Sequence, residues 1–456
     1  MRWTHLGHAC WYVETADARV LFDPLLGETY HDGVFEVFPR RRLELARLRP
    51  DVVVVTHRHP DHFDLESLAR LAALGCARLL LTADELVARA ARRLGFPEVV
   101  VLGNLEAHAL GDTRLVPTPS FCDVVEWGML VATADGVAWN QVDSVLVGPD
   151  EIQGILTVAA ALLERPALER GPELALARWQ PLLQVNAHTS GAIGFPFAAY
   201  EGELRRAAAS GAPAIVPGAA GNRYVGPGGW QNGLVYPVSE DRFRRDLQRL
   251  RPEATIYPSG PGLRLELAGG VTRRLADADW VTPIPAPDDR VFAPLTIPPI
   301  RERALSSEGP ARARIETWLN EQLRPALARA WPSFGAASPL RFALELVFSD
   351  ARVGRTIVVS PDGARLEDGL DPDYDLLNSV AASPLLAVLE GRAHWGSALL
   401  GGQMRSTTRA YRIDAGRLTR LRVAPFAAYY WLPYERATER WVEARLAELT
   451  RHAARR

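Results

Sequence analysis

The chain has 456 residues, 48% of them apolar, with 52 basic against 54 acidic side chains and a formal net charge of −2. It is too long for one ordinary domain, and its near-neutral balance argues against a general nucleic-acid binder, which carries a clustered basic excess. Every basic residue is arginine and the three cysteines (Cys10, Cys76, Cys122) share no C-x-x-C spacing, which excludes Schiff-base and P-loop lysines, a sequence-evident iron–sulfur site and a disulfide framework.

The N-terminus enters a strand directly, with no charged region leading into an apolar one, so no signal peptide is expected. No apolar run reaches membrane-spanning length, and the expected location is the cytoplasm. Residues 10–15 and 18–22 read as strands, with Asp17 in the turn. The run Val52-Val53-Val54-Val55 has the composition of a strand buried on both faces, and it leads straight into His57. Residues 64–74 then read as a helix, with Leu65, Leu68, Leu71 and Leu74 on one face. Strand signals follow at 78–82, 98–102, 113–117, 128–133 and 136–140, helices at 150–164 and 199–210, and a strand at 214–216.

Residues 222–233 form a Gly-rich loop in which Tyr224 and Trp230 are expected to be exposed, either as a lid over a site or as an ordinary surface loop. Residues 281–300 carry six prolines and read as a linker between a first domain, 1–280, and a second, 301–456. In the second, 309–331 and 374–391 read as helical, 340–360 as a β-hairpin and 404–425 as strands, an α+β composition. Phe426, Tyr429, Tyr430, Trp431 and Tyr434 read as the lining of a pocket or an interface or, more simply, as domain core and packing against the first domain. Residues 435–455 read as an amphipathic helix, most simply a surface helix or a homodimer contact.

The strongest signal is Thr56-His57-Arg58-His59-Pro60-Asp61-His62, three imidazoles and a carboxylate in six residues directly after a strand. Alternate residues of an extended loop point the same way, so His57 and His59 can grip one ion while Asp61 and His62 turn toward a second. The end of a buried strand is where ligand sites form in α/β folds. Arg58, inside the motif, is placed to meet an anionic substrate or to pair with a local carboxylate. His5 and His8 are assigned structural or supporting roles, and His31, His394 and His452 the surface.

The H-x-H-x-D-H pattern resembles that of the metallo-β-lactamase superfamily over residues 1–280. Leu21 to Leu26, Trp139 to Ser144 and Ser190 to Pro196 resemble the group containing the CMP-sialic acid hydroxylases and N-acyl-phosphatidylethanolamine phospholipases. The resemblance implies an αββα sandwich, an α/β fold, holding two divalent ions. It implies that Asp23 orients the site from behind, that Asp143 bridges the ions and acts with Asp61 in catalysis, and that His188 joins the second ion. The family's third motif supplies a histidine that 117–127 lacks. Asp123 occupies the expected place, with His108 as the alternative, and a two-histidine, two-carboxylate site leans toward iron or manganese over zinc.

Such a site implies hydrolysis of a small-molecule ester, lactone or phosphodiester by water activated between the ions. The alternative is a diiron, O₂-dependent hydroxylase that needs an external reductase. In the second domain, Leu389-Glu390-Gly391 and Trp395 to Gly402 weakly resemble the sterol-carrier-protein-2-like fold.

Overall fold

The computed structural model describes residues 1–121, 125–181, 183–184, 187, 193–303, 308–414, 417–422 and 434–453. Two sheets lie at the centre of the first unit. One has eight strands, in the order Val271–Arg274, Arg264–Ala268, Arg2–Gly7, Cys10–Glu14, Arg19–Phe22, Val52–Val55, Leu79–Thr82, Glu98–Val101. The other has seven, in the order His108–Leu110, Thr113–Pro119, Trp127–Thr133, Gly136–Asn140, Leu174–Ala177, Ala214–Pro217, Thr255–Ile256.

Between the sheets lies one apolar layer, in which Trp3, Trp11, Phe22, Val52 and Val54 meet Trp127, Met129, Val131, Leu174 and Val216. Val53 and Val55 point the other way, into a layer shared with Leu65, Leu68 and Leu71 of the helix Leu65–Leu74. This explains the unbroken valine run, since alternate side chains of the strand serve two different buried layers. On the outside of the second sheet, the helix Pro149–Leu162 covers Val116, Leu130 and Trp139, and the helices Phe197–Ala209 and Glu240–Leu250 cover Ala175 and Ile215. The result is the αββα sandwich expected from the motif.

The helix Leu65–Leu74 starts at Asp64, whose side chain accepts from the Ser67 N–H, and stops at Gly75 at φ 65°. That cap and a left-handed glycine fix both ends. Leu74 falls on the exposed side at the last turn, so only three of the four expected leucines are buried.

The second unit is a five-stranded sheet, in the order Gly363–Asp368, Arg352–Ser360, Leu340–Val347, Leu376–Ala381, Met404–Thr408. Its core takes side chains from the helical stretch 308–334 and the helix Ala382–Leu389. Residues 376–381, expected to be helical, are a strand beside Phe342–Val347; sheet pairing outweighs the local propensity of so short an apolar segment. Val281–Pro283, placed in the linker, pairs with Arg41–Leu43 of the first unit. The aromatic cluster 426–431 lies outside the described residues.

The C-terminal helix Tyr434–Ala453 lays one face on the first unit. Trp441, Val442 and Leu446 are buried in the first unit's core, Arg445 pairs with Glu66, and Glu439 and Glu443 pair with Arg89 and Arg93. The amphipathic pattern is the same for a surface helix and for one that covers another domain, so the sequence alone did not separate the two.

His31 and His394 are likewise buried, not at the surface. Their rings lie 5.3 Å apart at the junction of the two units, and His394 stands 5.3 Å from Trp441. Beside them Asp32 accepts from the His394 N–H (2.7 Å), the Ser397 hydroxyl and the Trp441 indole (3.3 Å).

Burial pushes the His31 imidazole down to about 4, against the opposing pull of Asp32 and Asp61. The unfolded chain takes up that proton near pH 6.5, so between there and about 4 it binds more protons than the folded one. Stability therefore falls as pH drops through this window, by on the order of 3 kcal/mol from His31 alone. We expect the melting temperature to fall from pH 6.5 to 4 and the slope to flatten in His31→Asn, a change that suits the residue's φ of 52°. Calorimetry across the series checks it.

Candidate metal centre

The site forms where strand ends of both sheets converge. Val20 lies opposite Val52 in the parallel pair, and this register sets Asp23 beside Thr56, one residue past each strand. The Asp23 carboxylate accepts from the Thr56 N–H at 2.8 Å and from its hydroxyl at 2.9 and 3.1 Å. It also takes the His62 Nδ1–H at 2.9 Å. With its hydroxyl hydrogen on Asp23, Thr56 Oγ1 accepts from His57 Nδ1 (3.0 Å). His57 Nε2 is thereby left with a lone pair, facing His59 Nδ1 at 2.8 Å. Asp23 thus ties Thr56 to His62 and is wholly buried.

His62 stands at the centre. Its Nε2 lies 3.2 Å from Asp143 Oδ2 and 3.5 Å from Asp61 Oδ2, and its ring is 4.1 Å from that of His57. Asp143 is delivered by the strand Gly136–Asn140 through a turn in which Val142 adopts φ 51°. Ligand-capable atoms of His57, His62 and Asp143 lie within 4.8 Å of one another, as do those of His8, Asp61 and His62.

The electrostatics say what such a site needs. Burial by itself would lower the His62 imidazole, yet the carboxylates of Asp61, Asp23 and Asp143 hold it well above its ordinary value. Burial would raise Asp61 and Asp143, and the charge and hydrogen bond of His62 instead bring both down. His57 and His59 are held low, first by burial and then by neighbouring imidazoles, which keeps their lone pairs available. Neutral imidazoles of His57 and His59 and ionised carboxylates, gathered around His62 in a place that demands positive charge, suit a divalent cation.

The other expectations divide. Arg58 is tied to Asp84, whose carboxylate also caps the helix Glu85–Leu94, so it takes the local-carboxylate role. Tyr224 is 1% exposed in a short strand against Phe35, its hydroxyl on Gln184 at 2.6 Å. Trp230 is half-buried in a 3-10 turn next to Gly402 of the second unit. The segment 222–233 is therefore packed and paired, not an exposed lid: a glycine-rich stretch folds into a close-packed corner as readily as into a mobile loop. His108 sits on the edge strand of its sheet, in neither donor group. Asp123 and His188 lie outside the described residues.

One residue was missed. Glu126, 5% exposed and held by the Ser120 hydroxyl at 2.9 Å, is raised to about 7 by burial and then by Asp143. Its signal was an acid directly before a buried tryptophan. His8, given a structural or supporting role from the sequence, reaches Asp61 Oδ2 at 3.1 Å.

A family model described as the beta-lactamase superfamily domain matches residues 2–143. With the two-sheet architecture and the histidine loop, this identifies the chain as a metallo-β-lactamase-fold protein. It is 38% identical over 66 residues to a "UPF0173 metal-dependent hydrolase" of Salinibacter ruber (14% of this chain, 25% of that one). It is 31% identical over 124 residues to a "4-amino-L-phenylalanyl-[CmlP-peptidyl-carrier-protein] 3-hydroxylase" of Streptomyces venezuelae (25% of this chain, 22% of that one). The chain thus spans a quarter or less of the length of these curated relatives. A solved diiron β-hydroxylase, CmlA of Streptomyces venezuelae, superposes with TM-score 0.39 at 17% identity, over 60% of this chain and 54% of that one.

Removing the Asp23 carboxylate tests the geometry. Asp23→Ala should weaken metal binding about 10–100-fold, the usual effect of losing a carboxylate that orients a metal-binding imidazole. Competition against a chromogenic chelator reads it, and an unchanged affinity would mean that Asp23 only supports the fold.

Proposed function

We propose that the protein is a di-metal hydrolase acting on an ester, lactone or phosphodiester of a small molecule. His57, His59 and Asp143 hold one ion; Asp61, His62 and Asp143 hold the other, with Asp123 and His188 as further candidates. The observation that carries this is the position of His62, wedged between the Asp61 and Asp143 carboxylates in a buried site that draws positive charge. Two ions bound there would acidify water and polarise the scissile carbonyl or phosphoryl oxygen.

The chain's own residues do the rest. Asp23 and Thr56 keep His57 and His62 in the tautomers that turn Nε2 to the site. Asp61 and Asp143 flank that point, and one of them accepts the proton released by the attacking water. Glu126, raised to about 7 by burial and Asp143, holds a proton near neutrality that a leaving group can take.

One observation favours a second reading, an iron-dependent hydroxylase served by an external reductase. What supports it is Asp123 in the place where the family's third motif has a histidine, since a two-histidine, two-carboxylate donor set leans toward iron. The name of the Streptomyces venezuelae relative agrees with it.

Metal analysis of protein purified without added metal separates the two. About two zinc ions per chain, with turnover of an ester, lactone or phosphodiester panel that Asp143→Ala reduces by 10³-fold or more, is the expected result. Two irons with a ferric absorption band and no hydrolysis would replace it with the hydroxylase. Wild-type protein that binds no metal would refute both.

A further inference from the structure

We propose that His8 is the positioning residue of Asp61: a neutral imidazole with its proton on Nε2, which steers the carboxylate toward its ion and does not itself bind metal. This rests on the assignment of Asp61 to a metal ion made above.

The backbone is built to deliver this ring. The pairing of Arg2–Gly7 with Cys10–Glu14 slips between His5 and Gly7, and such a bulge re-aims the following side chain. Gly7 takes φ 109°, and His8, a non-glycine residue, takes φ 52°. A positive φ at a buried histidine persists only where the surroundings impose it. Here Arg41, itself buried, donates to the carbonyls of Leu6 (2.8 Å), Leu25 (2.6 Å) and Gly27 (2.7 Å) and pins the bulge from one side. From the other side His5 takes the Gly260 N–H on Nδ1 (3.2 Å) and gives its Nε2–H to the His8 carbonyl (2.9 Å).

Atoms of His8, Asp61 and His62 lie close enough to share an ion, so proximity alone makes His8 a ligand candidate. The tautomer decides otherwise. The Gly221 N–H, which can only donate, points at His8 Nδ1 from 3.2 Å. Nδ1 must therefore accept, and the ring hydrogen sits on Nε2, 3.1 Å from Asp61 Oδ2. Metal ligation through Nε2 would move that hydrogen to Nδ1, where it would meet the Gly221 N–H donor to donor. Residue 221 is suited to this role, because a Cβ there would lie 2.6 Å from His8 N and 2.7 Å from its Cα. The His8 ring thus fixes one Asp61 oxygen and leaves the carboxylate turned toward His62.

The test compares side chains that keep different halves of the imidazole. Asparagine suits the positive φ and offers an acceptor to Gly221, but its amide is too short to serve Asp61. Glutamine places an N–H₂ near the Nε2 position. With metal content after dialysis and the cobalt(II) absorption spectrum as readouts, wild type should hold two ions. His8→Asn and His8→Ala should hold one, with the second bound at least 10-fold more weakly, and His8→Gln should keep both. Loss of the second ion in His8→Gln as well would make His8 a ligand and overturn the proposal; so would wild-type binding in His8→Ala.

Asp61→Ala is the control for the underlying assignment. If it keeps both ions, that assignment fails. If it loses one while His8→Ala does not, only the present inference fails. Should a variant not fold, long-range ¹⁵N–¹H spectra of histidine in the wild-type protein still decide. An Nε2–H tautomer for His8 is expected, and an Nδ1–H tautomer would overturn the proposal.

Discussion

Three carboxylates, Asp23, Asp61 and Asp143, surround one imidazole at the end of a buried strand, and the surrounding structure is arranged to make that tolerable. An unpaired buried charge is expensive, and it persists only when hydrogen bonds or an opposite charge meet it. Asp23 is met by the Thr56 N–H and hydroxyl and by His62, and the other two carboxylates by the far side of His62. The parallel register of the Arg19–Phe22 and Val52–Val55 strands is therefore more than packing. It brings an aspartate and a threonine side by side at the one place where the histidine loop begins.

A second ring of contacts holds the first. Asp61 is reached by His8, His8 by Gly221 and His5, and the bulge that presents His8 by Arg41. These residues come from four separate stretches of chain, and in each polar contact the donor and acceptor are matched by the tautomer available. Polar networks of this kind specify one arrangement when every member is satisfied.

The second unit packs against the first. The turn 30–33 of the first unit is gripped by His394, Ser397 and Trp441 through Asp32. The same turn places His31 within the electrostatic reach of Asp61 and His59. Gln231, in the segment that also carries Tyr224, bonds to the Leu400 carbonyl. The C-terminal helix closes the outer face of the Leu65–Leu74 and Glu85–Leu94 helices. Among the described residues no helix is long and apolar enough to cross a membrane.

What the sequence determined by itself was local. A valine run with no polar interruption dictates a strand buried on both sides. Three histidines and an aspartate within six residues leave few uses other than a metal, because that density of imidazoles in a buried loop is otherwise costly. The αββα class was legible through the resemblance those residues carry. What only the tertiary structure decided was every contact between distant segments. Tyr224, His31, His394 and the C-terminal helix looked like surface from their neighbours in sequence, but burial is set by what another segment lays over them. Arg58 is committed to Asp84, 26 positions on, and Glu126 and His8 acquire their roles from Asp143, Ser120, Asp61 and Gly221. A hydrogen bond needs a partner at about 3 Å in the right direction, and a pattern along the chain does not encode that for residues a hundred positions apart.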